Sequence, residues 1–287
     1  MRRLNKPNFD PAELLDACAS AVNDAALAAR FNAARPLMLA KFEDYENCAS
    51  AHTLFSFDAC AWGNGAQMIL AGMTKLELMD LYSDHLVSND KPGRRYYDHL
   101  MMLAPLGRCP FCGFGQVSTL DHFLAKARYP AFSVLSFNLV PSCSDCNKGK
   151  GAGVLTAATQ MLHPYFEDAL VETVPWLFSS LIESTPAAVI YFVKPPGDWS
   201  NDLITRVANH FQNFELARRF GVEAASELAG LVDILDELKT SVAREVHLLT
   251  IARVERKKRT NSWRAALYEA LAKSDWYKNK GFRNTEL

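Results

Sequence analysis

Four of the seven cysteines fall into two pairs, Cys109-Pro110-Phe111-Cys112 and Cys143-Ser144-Asp145-Cys146, with the spacing C-x2-C-x30-C-x2-C. Each C-x2-C turn can aim two thiolates at one ion, and two such turns complete a tetrahedral site of the kind zinc prefers. With all four positions taken by thiolates no place is left for a reacting water, so a zinc held here is structural. Chemistry is then expected from the residues between and beside the pairs: Asp121-His122, Asn138 and Asn147. A histidine titrates near neutrality and can take a proton from water. A carboxylate and a side-chain amide oxygen are hard donors suited to Mg2+ or Mn2+. Hydrolysis of a phosphodiester needs those two things, a deprotonated water and a stabilised leaving oxygen. Taken singly, each residue has a plainer use: a hydrogen-bonded Asp-His pair, a strand cap at Asn138, a helix cap at Asn147. Neighbours on an extended strand also point to opposite faces, so Asp121 and His122 address one site only where the strand bends or where they flank the phosphate.

Taken together, Cys109-Pro110-Phe111-Cys112, Leu120-Asp121-His122, Asn138-Leu139-Val140-Pro141 and Cys143-Ser144-Asp145-Cys146-Asn147-Lys148-Gly149-Lys150-Gly151 resemble the zinc-stapled HNH nuclease module. The resemblance covers about a sixth of the chain. It implies a ββα-metal fold, with His122 as general base, Asp121 and Asn147 as ligands of a catalytic Mg2+ or Mn2+, and Asn138 fixing the loop that orients the base. Asn147 stands where many members have His, making this an H-N-N variant with a preference for a harder metal. The implied reaction is endonucleolytic cleavage of DNA leaving 5′-phosphate and 3′-hydroxyl ends. Tyr96-Tyr97-Asp98 upstream and His163-Pro164-Tyr165-Phe166 downstream resemble a group of helical-flanked bacterial HNH proteins, some of which act in phage defence beside an ATPase partner.

The elements that must position these residues give a mainly α chain with a small α+β insert. Region 1–107 reads as helical. Asp10-Pro11-Ala12-Glu13 has the form of a helix start, and Leu14, Leu15, Cys18, Val22 and Ala25 follow at helical spacing. Thr74-Lys75-Leu76-Glu77 is a capping box, Arg95–Leu103 is amphipathic, and Gly63-Asn64-Gly65 supplies a turn. Region 108–153 is the module, with β-prone pieces at Gln116–Asp121 and Ser136–Val140 and a helix from about Ser144. Region 154–287 is expected to be helical apart from one strand at Ala187–Val193. Helices are expected over Ser200–Phe220 and Val222–Leu249, joined at Gly221, and again from Asn261-Ser262 to before Gly281.

The 287 residues carry 31 Lys+Arg against 32 Asp+Glu, a net charge of −1 that excludes a uniformly basic nucleic-acid-coating protein. Local contacts to phosphates remain available from Lys126, Arg128, Lys148 and Lys150, and Arg253, Arg256, Lys257, Lys258, Arg259 and Arg264 form a second basic cluster. A helix end that places cations against its own dipole accounts equally for that second cluster. Tyr129-Pro130 and Phe132 are expected to pack under the zinc loop, and His163 to be a capping or core residue. No apolar run is long enough to span a membrane and the N-terminus lacks a secretory signal, so a cytoplasmic protein is expected, with Cys18, Cys48 and Cys60 as buried thiols. Two other classes of function stay open: a catalytically silent zinc ribbon that presents its lysines to nucleic acid, and a scaffold subunit whose helices bind a partner.

Overall fold

Asp10 opens the first helix as its pattern requires, its carboxylate accepting from Ala12 N at 2.8 Å at the head of α1 (Pro11–Ala19). Val22 and Ala25 do not continue it. Asp24 starts a new helix, α2 (Ala25–Ser50), by accepting from Leu27 N. The computed structural model describes residues 1–283 of a mainly α chain with three two-stranded antiparallel sheets. The chain forms two compact units, Arg2–Glu167 and Asp168–Leu287 with Met1. The cysteine-framed segment 108–153 belongs to the first, together with the helices that precede it.

In the first unit a small hairpin, β1 (Met68–Leu70) and β2 (Met73–Thr74), leads into α3 (Lys75–Asp80). Thr74 and Glu77 form the reciprocal capping box expected there. A π-helical turn over Leu81–Leu86 and then α4 (Arg94–Met102) follow. Next comes a strand pair, β3 (Thr119–His122) with β4 (Leu139–Ser142), in the register Asp121↔Val140 and His122↔Leu139. The module closes with α5 (Ser144–Lys150). Both strands begin about three residues later than expected. The backbone of 108–117 is occupied by the first cysteine turn, where Cys109 N bonds Gly115 O and Val117 N bonds Gly107 O. Ser136–Asn138 is a 3-10 turn closed by Asn138 N on Leu135 O.

The second unit begins with the short α6 (Leu170–Thr173) and contains a full hairpin, β5 (Leu177–Ile182) with β6 (Ala188–Val193). Only β6 was expected. β5 (Leu-Phe-Ser-Ser-Leu-Ile) breaks the period-two alternation with the consecutive Ser179 and Ser180, which weakens its strand signal, and it is held by Ser179 Oγ on Ala266 O. The helices are α7 (Asn201–Asn213), α8 (Leu216–Glu237), α9 (Ser241–Lys258), α10 (Trp263–Lys273) and α11 (Asp275–Lys278). The expected junction at Gly221 is wrong: the chain breaks at Glu215, which adopts φ +49°, and again before Thr240. Gly221 lies inside α8, where the buried stripe Leu216, Phe220, Ala224, Leu228, Leu231 and Leu235 outweighs the roughly 1 kcal/mol that a helical glycine costs. No described helix is long and apolar enough to cross a membrane.

Candidate functional site

The two cysteine turns meet. The sulfurs of Cys109, Cys112, Cys143 and Cys146 all lie within 4.8 Å of one another and all four residues are buried. A tetrahedron with Zn–S bonds of about 2.3 Å places its sulfurs roughly 3.8 Å apart, and Cys112 Sγ lies 3.9 Å from Cys143 Sγ. The cluster can therefore hold a structural zinc. Gly115 makes the approach possible: a Cβ there would stand 2.8 Å from Cys143 Sγ, and its N–H donates to Cys112 Sγ at 3.3 Å. Gly113 supplies the positive φ of +82° that turns the first knuckle. Of the remaining cysteines Cys18 is buried, its thiol pushed up to about 12 by burial. Cys48 and Cys60 are half-buried rather than buried as expected.

The strand pair that leaves this cluster carries Asp121 and His122 side by side, 3% and 8% exposed. Their side chains obey the alternation of a strand and have different neighbours. The His122 ring faces Tyr82 at a centroid distance of 4.4 Å, and Nε2 lies 2.8 Å from Ser133 O. A carbonyl only accepts, so Nε2 carries the proton and Nδ1 keeps its lone pair; no described residue bonds Nδ1. Burial, reinforced by the Lys126 and Lys150 charges, lowers His122 to about 3, which keeps the ring neutral. Asp121 is raised to about 6 by burial, against the pull of Lys150. Its Oδ1 pairs with Lys150 Nζ at 3.0 Å, and its buried Oδ2 has no partner.

Asn138 is fully buried, and its amide bonds four groups. Oδ1 accepts from Leu124 N at 2.7 Å and from the Tyr45 hydroxyl at 3.1 Å. Nδ2 donates to Leu124 O and Phe132 O, both at 3.0 Å. Asn138 thus clamps the two ends of the loop that carries Ser133, the partner of His122. Behind it, His163 Nδ1 accepts from Tyr165 N, so Nε2 is the protonated nitrogen and donates to Tyr45 Oη at 3.2 Å. Every member of the chain His163–Tyr45–Asn138 then has a consistent donor and acceptor. His163 is a core residue, as expected, packed on Phe123 at 4.0 Å.

Asn147 lies half-buried one turn before Lys150 on α5, and residues three apart share a helix face. Lys150 touches Asp121, and no hydrogen bond joins Asn147 to that carboxylate. Lys150 does not reach out to solvent: its ammonium sits on Asp121 and on the carbonyls of His122 and Phe123. Lys126 is half-buried, donates to Ser83 Oγ at 2.6 Å and covers the Tyr82 ring. Arg128 is half-buried and Lys148 is exposed. Tyr129, Pro130 and Phe132 do pack, with Phe132 against Tyr45 and Phe57 rather than under the zinc loop. In the second basic cluster Arg256 pairs with Glu269, Lys258 with Glu255, and Arg264 with Glu227 and Glu255. Much of that charge is used internally. Tyr45, Tyr82 and Ser133 had no signal in the sequence, since each acts through partners 11 to 118 residues away.

Asp121 keeps one buried, unpartnered oxygen while the Lys150 ammonium neutralises the other, and among the described residues the group of Cys, His, Asp or Glu placed to hold a metal is the cysteine cluster. Among known proteins, the chain is 32% identical over 235 residues to protein ea31 of Escherichia phage lambda, covering 81% of this chain and 79% of the phage protein. The chain belongs to the ea31 family. No family model and no solved structure matches it. Membership in the ea31 family carries no activity with it, so what the ea31-like chain does rests on the geometry of Asp121, His122 and Asn138.

Proposed function

We propose that the chain is a metal-dependent HNH-type endonuclease hydrolysing phosphodiester bonds in DNA. One observation carries the reading: His122 stands on a strand pair anchored at a four-cysteine cluster, its ring held by a loop that Asn138 clamps from both ends. That arrangement supplies a neutral base in a fixed orientation. Nδ1 takes a proton from water, and the charge formed on the ring is shared through Nε2–H with Ser133 O. The base is weak in the free chain because burial lowers it. A phosphodiester anion beside it raises its proton affinity when substrate binds.

Asp121, through Oδ2, and Asn147 would hold Mg2+ or Mn2+, which supplies Lewis-acid stabilisation of the leaving oxygen. Lys150 must then release Asp121 and becomes available, with Lys126, Arg128 and Lys148, for flanking phosphates. The zinc cluster fixes the frame and takes no part in the reaction. The phage-defence setting and an ATPase or other regulatory partner belong to the same proposal and rest on the sequence resemblance. A silent zinc-ribbon binding module is the second reading, favoured by Lys150 already neutralising Asp121. Metal dependence separates the two. Cleavage that requires added Mg2+ or Mn2+, and needs more metal in Asp121→Asn or Asn147→Ala, supports the nuclease; nucleic-acid binding without cleavage under any divalent metal supports the silent module.

A further inference from the structure

A cleft of about 480 Å³ opens in the Arg2–Glu167 unit, within the range of roughly 300–1,000 Å³ typical of small-molecule sites. One wall is the segment Tyr129–Phe132, whose next residue, Ser133, holds His122. The cleft and the base therefore share a loop. Its surface suits a flat, neutral heterocycle. Half-buried Phe57 offers an aromatic face, Tyr129 and Phe132 are buried wall residues, and charge is limited to Lys41 and Asp58, one of each sign. Lys41 is already engaged by Asp44 at 3.0 Å, so nothing concentrates positive charge for a phosphate. Gln67 lines the same cleft with a side-chain oxygen that has no hydrogen-bond partner. An unpaired acceptor of this kind costs stability until a donor arrives, and a base edge carries one as a ring N–H or an exocyclic amine.

We propose that this cleft takes an unstacked nucleobase beside the scissile phosphate, an assignment that rests on the nuclease reading for its source in a nucleic-acid strand rather than in a free nucleotide. A base inside a duplex cannot reach the Phe57 ring and an edge-reading amide at once, so the substrate presents single-stranded or extruded nucleotides. Specificity at that nucleotide comes from Gln67, and stacking comes from Phe57.

The test is binding of short fluorescent single-stranded DNA to the full zinc-loaded chain without added Mg2+ or Mn2+, so that cleavage plays no part. A strand with abasic positions binds about tenfold more weakly than its parent, the loss expected for one stacked and hydrogen-bonded base. Gln67→Leu and Phe57→Leu narrow that difference. Gln67→Leu melts no lower than wild type, because it removes an unsatisfied acceptor. Equal binding of intact and abasic strands, or full discrimination in Gln67→Leu, overturns the proposal. A nucleoside monophosphate that binds where strands do not overturns the strand as the source. A chain that discriminates bases yet never cuts leaves the cleft standing and removes the nuclease reading instead.

Discussion

Asp121 and His122 are adjacent and equally hidden, and burial moves them in opposite directions. In the unfolded chain the histidine titrates near 6.5; in the folded chain it titrates at about 3. Between those values the unfolded state holds the extra proton, so His122 makes the fold less stable as pH falls through this window. The loss from this residue is about 2 kcal/mol between pH 7 and pH 5. Asp121 is raised from 3.8 to about 6, so the folded state holds the extra proton and its contribution to stability grows as pH falls from 6 toward 3.8. Denaturant unfolding without divalent metal checks both signs. His122→Gln flattens the acid side of the stability profile, and Asp121→Asn steepens it. Identical profiles for wild type and His122→Gln would mean that the histidine is not buried neutral. The residue types and their order were readable in the sequence; their pairing was not. Nothing in the order of residues says that Lys150, whose place just after Asn147 suggests a contact to flanking phosphates, turns inward onto Asp121.

Strand, loop and helix are held here by two kinds of cross-link. The first is the cysteine cluster, which fixes the start of β3 and the end of β4 through close backbone approach at Gly115. Gly115→Ala pushes a methyl group into Cys143, so the variant retains less zinc by elemental analysis and melts lower than wild type. Removing zinc with a chelator has the same direction and a larger effect, because it frees all four thiolates rather than crowding one of them. The second is the buried relay from α2 to the loop that carries Ser133. Tyr45→Phe removes the hydroxyl that bonds both Asn138 and His163, at a cost of about 1 kcal/mol in unfolding free energy or somewhat more for the groups left unpaired. A change well under that would show the relay to be idle. The cysteine spacing announced the first cross-link outright, since four ligands in two C-x2-C turns have few other uses. Tyr45 gave no sign, because it lies 93 residues from Asn138 on a helix whose pattern asks only for an apolar position.

Composition concealed how the 287 residues divide. A net charge of −1 hid a module in which Arg108, Lys126, Arg128, Lys148 and Lys150 face only Asp121 and Asp145 between residues 108 and 150. Helix starts were readable at the caps Asp10, Thr74, Ser200 and Ser262, but not at Asp24 and Thr240, where the apolar spacing reads as one continuous helix across the cap. Helix ends were not, because buried stripes carry α8 straight through Gly221 while Glu215 breaks the chain without a glycine. The Asp168–Leu287 unit has its own hairpin packed on α8 and α10 and its own ion pairs. Expressed alone, that segment folds and melts cooperatively by circular dichroism, at a temperature that chelators do not alter. Chelation lowers the melting of the intact chain. The nuclease reading turns on His122 as general base, and plasmid cleavage by the intact zinc-loaded chain in Mg2+ or Mn2+ probes that role. Wild type nicks or linearises the plasmid, and His122→Ala, with zinc content and melting unchanged, cuts at least about 100-fold more slowly. Cleavage by His122→Ala at the wild-type rate would show that His122 is not the general base.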